Sequence, residues 1–138
     1  MNVNNLDPRL RLAVSVIKRW RAGEGVHLQA KELKRFNATP NRCHDNVREF
    51  VEMYPELKHV RGFLLVDHRP FSDGMLVLAH SVVEAPDGSL NDITPRESDA
   101  PEAFLRHLGT PTEFELIAAV APFSVKVSYR LLKECLGE

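Results

Sequence analysis

The sequence predicts an α+β domain in which N-terminal helices pack on a small antiparallel β-sheet. Three observations carry that prediction. Apolar residues in the first 54 positions recur at helical spacing. The segments 60–67 and 75–85 read as strands, the second apolar on both faces and so central to its sheet. Turn chemistry follows each strand, at Arg69-Pro70 with Ser72-Asp73-Gly74, and at Ala85-Pro86-Asp87-Gly88.

The first helix starts at Asp7-Pro8, with Asp7 as N-cap and Pro8 at the first helical position. Leu10, Val14, Ile17 and Trp20 form its apolar stripe, and Gly23 and Gly25 end it. Residues 29–36 read as a short basic helix. Residues 40–54 read as an amphipathic helix with Val47, Phe50, Val51 and Tyr54 on one stripe and Cys43 on the same face. Thr39 can cap it with Pro40 first in the helix, or Asn41 can cap it. Leu90 to Thr94 reads as a short returning strand that Pro95 stops. Ser98 or Asp99 can cap a further helix through Leu108, with Pro101 near its start and Gly109 past its end. Thr112 and Glu115 form a capping-box pattern for a helix to about Ala121, with a strand over 114–120 as the alternative. Ser124 can begin a terminal helix to Leu136, against the preference of Val125 and Val127.

A chain of 138 residues reads as a single domain over 1–138. It can bury roughly 68–70% of its extended surface, so it requires neither disulfide nor metal to fold. Hydrophobic residues at 43% and charged residues at 27% are those of a soluble globular protein. A net charge of -1 argues against nucleic acid or an anionic membrane as partner. No apolar run approaches a membrane span. The N-terminus lacks a secretory pattern, so a cytoplasmic protein with reduced Cys43 and Cys135 is expected. The basic residues Lys31, Lys34, Arg35 and Arg42 read as a solvated face.

Cys43 at a helix start, His80 in a central strand and Asp92 in the next are the residue types of nucleophilic thiol catalysis. A helix N-terminus favours the thiolate. An imidazole takes the thiol proton and returns one to the leaving group, and a carboxylate orients the imidazole. Free cysteine is also among the most buried residue types, so Cys43 alone reads as a small core residue. The company of His80 and Asp92 turns the reading toward a nucleophile. The hairpin register tests it. A two-residue Asp87-Gly88 loop sets Asp92 opposite Val83, on the wrong face. A three-residue loop with Pro86 second and Gly88 fourth in the turn pairs Ala85 with Ser89 and Val82 with Asp92, placing Asp92 diagonal to His80. A five-residue loop sets the two directly opposite. A metal site from Cys43, His44, His80 and Asp92 has suitable ligand types, but adjacent Cys and His diverge by about 100° on a helix. No metal and no cofactor are expected.

Cys43-His44-Asp45-Asn46, then Ala79-His80-Ser81, then Asp87-Gly88-Ser89-Leu90-Asn91-Asp92-Ile93-Thr94 resembles the transglutaminase-like and papain-like thiol enzymes, over about residues 40–95. Small bacterial and phage proteins of unassigned role look similar. The resemblance implies a papain-like fold and an acyl-thioester on Cys43. It implies His80 as general base and acid, with Asp92 orienting it. Amide or isopeptide hydrolysis, deamidation or acyl transfer on a peptide, protein or small amide follows as the expected activity. Asn46 and His44 are candidate supporting or substrate-binding residues. Where such proteins often carry an aromatic residue two positions after the histidine, this chain has Val82. The alternative class is an inactive member of the fold that acts as a protein-binding module.

Overall fold

A computed structural model describes residues 2–28, 42–67, 72–94, 102–119 and 123–137. Along the chain run α1 (Pro8–Arg21), β1 (Val26–Leu28), α2 (Cys43–Met53), β2 (Lys58–Asp67), β3 (Gly74–Glu84), β4 (Leu90–Asn91), β5 (Glu102–Arg106), α3 (Pro111–Ala119), β6 (Ser124–Ser128) and α4 (Tyr129–Leu136). The protein is therefore α+β. Its strands form one sheet in the order β1-β5-β2-β3-β4, with β6 also on β3, and all the pairings are antiparallel.

Local chemistry explains most of the helices. Asp7 Oδ1 accepts from the N–H groups of Arg9 and Leu10, and Pro8 sits at the first helical position of α1. Ala13, Val14, Val16 and Ile17 are buried, and Leu10 and Trp20 pack partly buried beside them. Gly23 ends the helix at φ 89°. α3 starts two residues earlier than its capping-box pattern suggests. Thr110 Oγ1 accepts from Glu113 N–H at 3.2 Å, and Pro111 takes the first helical position.

Three expectations are corrected. α2 begins at Cys43 with Arg42 at the N-cap and no side-chain cap bond, later than either Thr39 or Asn41 would have started it. The helix expected through Leu108 is strand β5. Ala103, Phe104 and Leu105 are buried in succession because β5 lies between β1 and β2, and an interior strand is apolar on both faces. The terminal helix is split: Val125 and Val127 belong to β6, and Ser128 caps α4 by accepting from Leu131 N–H at 3.1 Å. Strand β1, directly after Gly25, was not foreseen. The expected basic helix over 29–36, with Lys31, Lys34 and Arg35, lies outside the described residues, as do Thr39, Pro40, Asn41, Pro95, Ser98, Asp99 and Pro101.

The sheet has two unlike faces. Phe63, Leu65, Met75, Val77, Ala103 and Leu105 point to the main core, closed by residues from α1, α3 and α4. On the other face Val60, Leu64, Leu78, Val82 and Phe104 cluster with Leu28. α2 contributes Val47 and Phe50 to a third cluster with Val83 and Ile93.

Gly62 ties this packing to the environment of His80. It pairs with His80 on one side and Arg106 on the other. A Cβ at Gly62 would lie 2.1 Å from Leu105 O and 2.6 Å from Phe104 Cζ. The missing side chain leaves the Phe104 ring room beside His80, the two rings meeting edge to face at 6.4 Å. Gly62→Ala is expected to destabilise the protein by about 1–3 kcal/mol through overpacking. A urea midpoint unchanged from the parent would show that the strand yields freely at this position.

Candidate active site

The ladder along β3 is complete on its inner edge, where Lys58–Asp67 pairs residue for residue with Met75–Glu84. The outer edge is divided. β6 pairs with it up to Leu78, and Ala79 N–H still donates to Phe123 O. β4 resumes pairing at Val83. His80 and Ser81 lie between these two partners, and the first turn of α2 meets the strand there. Successive strand residues face opposite ways. His80 projects to the side of Leu78 and Val82, and Ser81 to the side of Ala79 and Val77. A helix end seated at this edge reaches both.

The hairpin after β3 has the three-residue loop. Val83 pairs with Asn91 and Glu84 with Leu90. Gly88 N–H donates to Ala85 O at 2.9 Å, Ala85 N–H donates to Ser89 O at 3.0 Å, and Gly88 has φ 86°. Carried one step on, this register sets Asp92 across from Val82 and diagonal to His80. His80 Nε2 and Asp92 Oδ2 are 3.0 Å apart. The contact is ionic, and its angle falls short of a well-aligned hydrogen bond. Asp92 is 1% exposed and His80 6%, so water screens the pair very little.

With Nε2 turned to Asp92, the other ring nitrogen is left for the thiol. Burial pushes His80 toward the neutral form. The close contact with Asp92, the bond to the Cys43 sulfur and the negative charges of both outweigh it and raise the pKa to about 9. Burial likewise pushes the Cys43 thiol up, but hydrogen bonds from His44 and His80, with the charges of both rings, bring it down to about 6. Between about pH 6 and about pH 9 the favoured state is a thiolate beside an imidazolium.

Asp92 is itself braced. Its Oδ1 accepts from Thr94 N–H at 3.1 Å, and Thr94 Oγ1 accepts from Asn46 Nδ2 at 3.1 Å. Asn46, 3% exposed, sits one helical turn after Cys43, so the helix that presents the thiol also holds the carboxylate's turn. The structure thus gathers Cys43, His80, Asp92 and Asn46 in one place. His44 joins them from a different direction: its Nδ1 lies 2.6 Å from Ser81 Oγ, and its ring packs edge-on against Phe114 at 5.5 Å. Arg42 is exposed and paired with Asp45, and Cys135 packs at the border of the main core.

Three residues beside the site went unassigned from the sequence. Thr94 was visible only as part of an Asp-x-Thr pattern. Ser81 is legible as the residue after His80, but its neighbours depend on where α2 docks. His59 lay one residue before the expected start of its strand. Its Nε2 is 2.8 Å from Ser81 Oγ. Among the described residues, no group of three His, Cys, Asp or Glu side chains could hold a metal ion.

Comparison with family models, curated proteins and solved structures returned no match.

Iodoacetamide should alkylate Cys43 at a rate that climbs through about pH 6 and then levels off, because the thiolate is the reactive form. Cys135 should react far more slowly. Mass spectrometry of the two peptides after timed labelling checks this, and equal slow labelling of both would overturn it.

Proposed function

We propose that this protein is a thiol hydrolase or acyltransferase of the transglutaminase-like or papain-like kind, acting on an amide, isopeptide or thioester. One observation carries the reading. Three residues from separate stretches of the chain, Cys43, His80 and Asp92, come together as a thiol, an imidazole and a carboxylate, the groups that a nucleophile, its base and an orienting partner require. The α+β architecture, with the cysteine helix against a histidine strand, supports the family.

In this mechanism the Cys43 thiolate attacks the carbonyl carbon and forms the C–S bond. The His80 imidazolium gives its proton to the leaving nitrogen as the C–N bond breaks. Asp92 holds the ring and its charge throughout. A second acceptor, water or an amine, then attacks the acyl-thioester and loses a proton to an imidazole as the sulfur leaves. Free N–H groups in the first turn of α2 stabilise negative charge on the carbonyl oxygen. Peptide, protein and small-amide substrates all fit this chemistry.

Activity-based labelling with a library of electrophilic amides tests the proposal and reports substrate preference together. Cys43 should be the acylated residue. His80→Ala should lower the rate by roughly 10³-fold or more, and Asp92→Asn by roughly 10²–10⁴-fold. Labelling that survives both substitutions at the parental rate would sink the triad.

A further inference from the structure

Ser81 is fully buried and its hydroxyl lies between two imidazoles, at 2.6 Å from His44 Nδ1 and 2.8 Å from His59 Nε2. The triad does not use this cluster, yet His44 also hydrogen-bonds the Cys43 thiol. We propose that His44 is a second catalytic imidazole at Cys43, positioned by Ser81 and His59, and that it serves as the base for the water that releases the acyl group. The proposal rests on the thiol-acylation reading above and divides the labour within it.

Proton counting gives the chain a direction. A serine hydroxyl has one proton, so it donates to one imidazole and accepts from the other. His59 is held neutral: burial lowers it to about 4, and the charges of Arg61, His44 and Arg48 add to this. Its Nε2 therefore suits the acceptor role toward the Ser81 O–H. Ser81 Oγ then accepts from His44 Nδ1–H, which makes Nε2 the nitrogen of His44 that exchanges protons. Ser81 and His59 do for His44 what Asp92 does for His80, with one difference. Their partner set is neutral, so it orients the ring without adding a negative charge. Among the described residues, the titratable groups around the thiol are His44 from its own helix and His80 from β3, with Asp92 behind His80. α3 offers the His44 ring the apolar face of Phe114.

The steps balance. In acylation the C–S bond forms, the C–N bond breaks, and the His80 proton goes to the leaving nitrogen. Acylation removes the thiolate charge beside His44, whose Nε2 proton passes to solvent; in release, water adds to the acyl carbon and gives one proton to that nitrogen. The C–S bond breaks with its electron pair on sulfur. The proton on His44 then crosses the sulfur to His80, and His44 regains its own from solvent, which restores the thiolate and the imidazolium. His59 lines an open cleft with Arg61, Arg106 and His107, so the far end of the chain faces solvent.

p-Nitrophenyl acetate separates the two halves, because nitrophenolate leaves without needing a proton. The intact protein should give a burst of nitrophenolate, an acetyl group on Cys43 by mass spectrometry, and a slower steady state. His44→Gln should still give a burst, a slower one because the thiol loses one of the bonds that lower it, while the steady-state rate falls further, by roughly tenfold or more, with acetyl-enzyme accumulating. Ser81→Ala should shift the same partition in the same direction, which covers the case of a His44→Gln chain that does not fold. A burst in the parent with the same partition in both variants would overturn this inference and leave the triad standing. A parent that shows no acetylation of Cys43 would overturn the thiol reading, and this inference with it.

Discussion

β3 is paired without interruption along its inner edge, but along its outer edge β6 stops at Leu78 and β4 resumes at Val83. That break is the constraint on which the site depends. A continuous outer strand would have occupied the space beside His80 and Ser81. The break exposes two consecutive residues that face opposite sides of the sheet, and the start of α2 fills the gap. The helix end thereby sets Cys43 beside His80 and His44 beside Ser81. β6 and β4 come from segments far apart in the chain, so the gap is a product of topology. One boundary lies where β6 begins at Ser124, opposite Leu78, and the other where β4 ends at Asn91, opposite Val83.

The electrostatics arise from this placement. His80 and Asp92 are both nearly water-free, and a charge there is tolerated only with a partner. Burial by itself would make the imidazole neutral and keep the thiol protonated. Hydrogen bonds and opposite charge reverse both tendencies. At His59 partial burial, with cations as its charged neighbours, drives the imidazole the other way. One small region therefore holds imidazoles pushed in opposite directions, a division of environments that suits separate acid and base roles.

Legibility of the sequence tracked the range of the interaction responsible. Asp7-Pro8 marked a helix start because the cap acts over three residues. The fate of 102–106 was hidden because Pro101 and Gly109 look like helix punctuation, and only the neighbours β1 and β2 make Ala103, Phe104 and Leu105 an interior strand. Ser124 to Leu136 was half readable: the apolar spacing of α4 is local, whereas β6 is held by pairing with β3. Asn46 is a candidate supporting residue from the sequence, but its partner Thr94 is 48 residues away and shares no local pattern with it.

By itself the sequence favoured a hairpin register that brings Asp92 within reach of His80, and the structure has that register. The Ala85-Pro86-Asp87-Gly88 turn sets the loop length through proline's restricted φ and glycine's tolerance of positive φ, and loop length sets which residues share a face. It also determined that a cysteine stands in the first turn of an amphipathic helix. Only the tertiary structure decided that this helix end seats in the break along β3, bringing the thiol to His80 and joining His44, Ser81 and His59. Those contacts span 22 and 37 residues, and nothing in the local chain encodes a meeting that depends on packing a helix against the edge of a sheet.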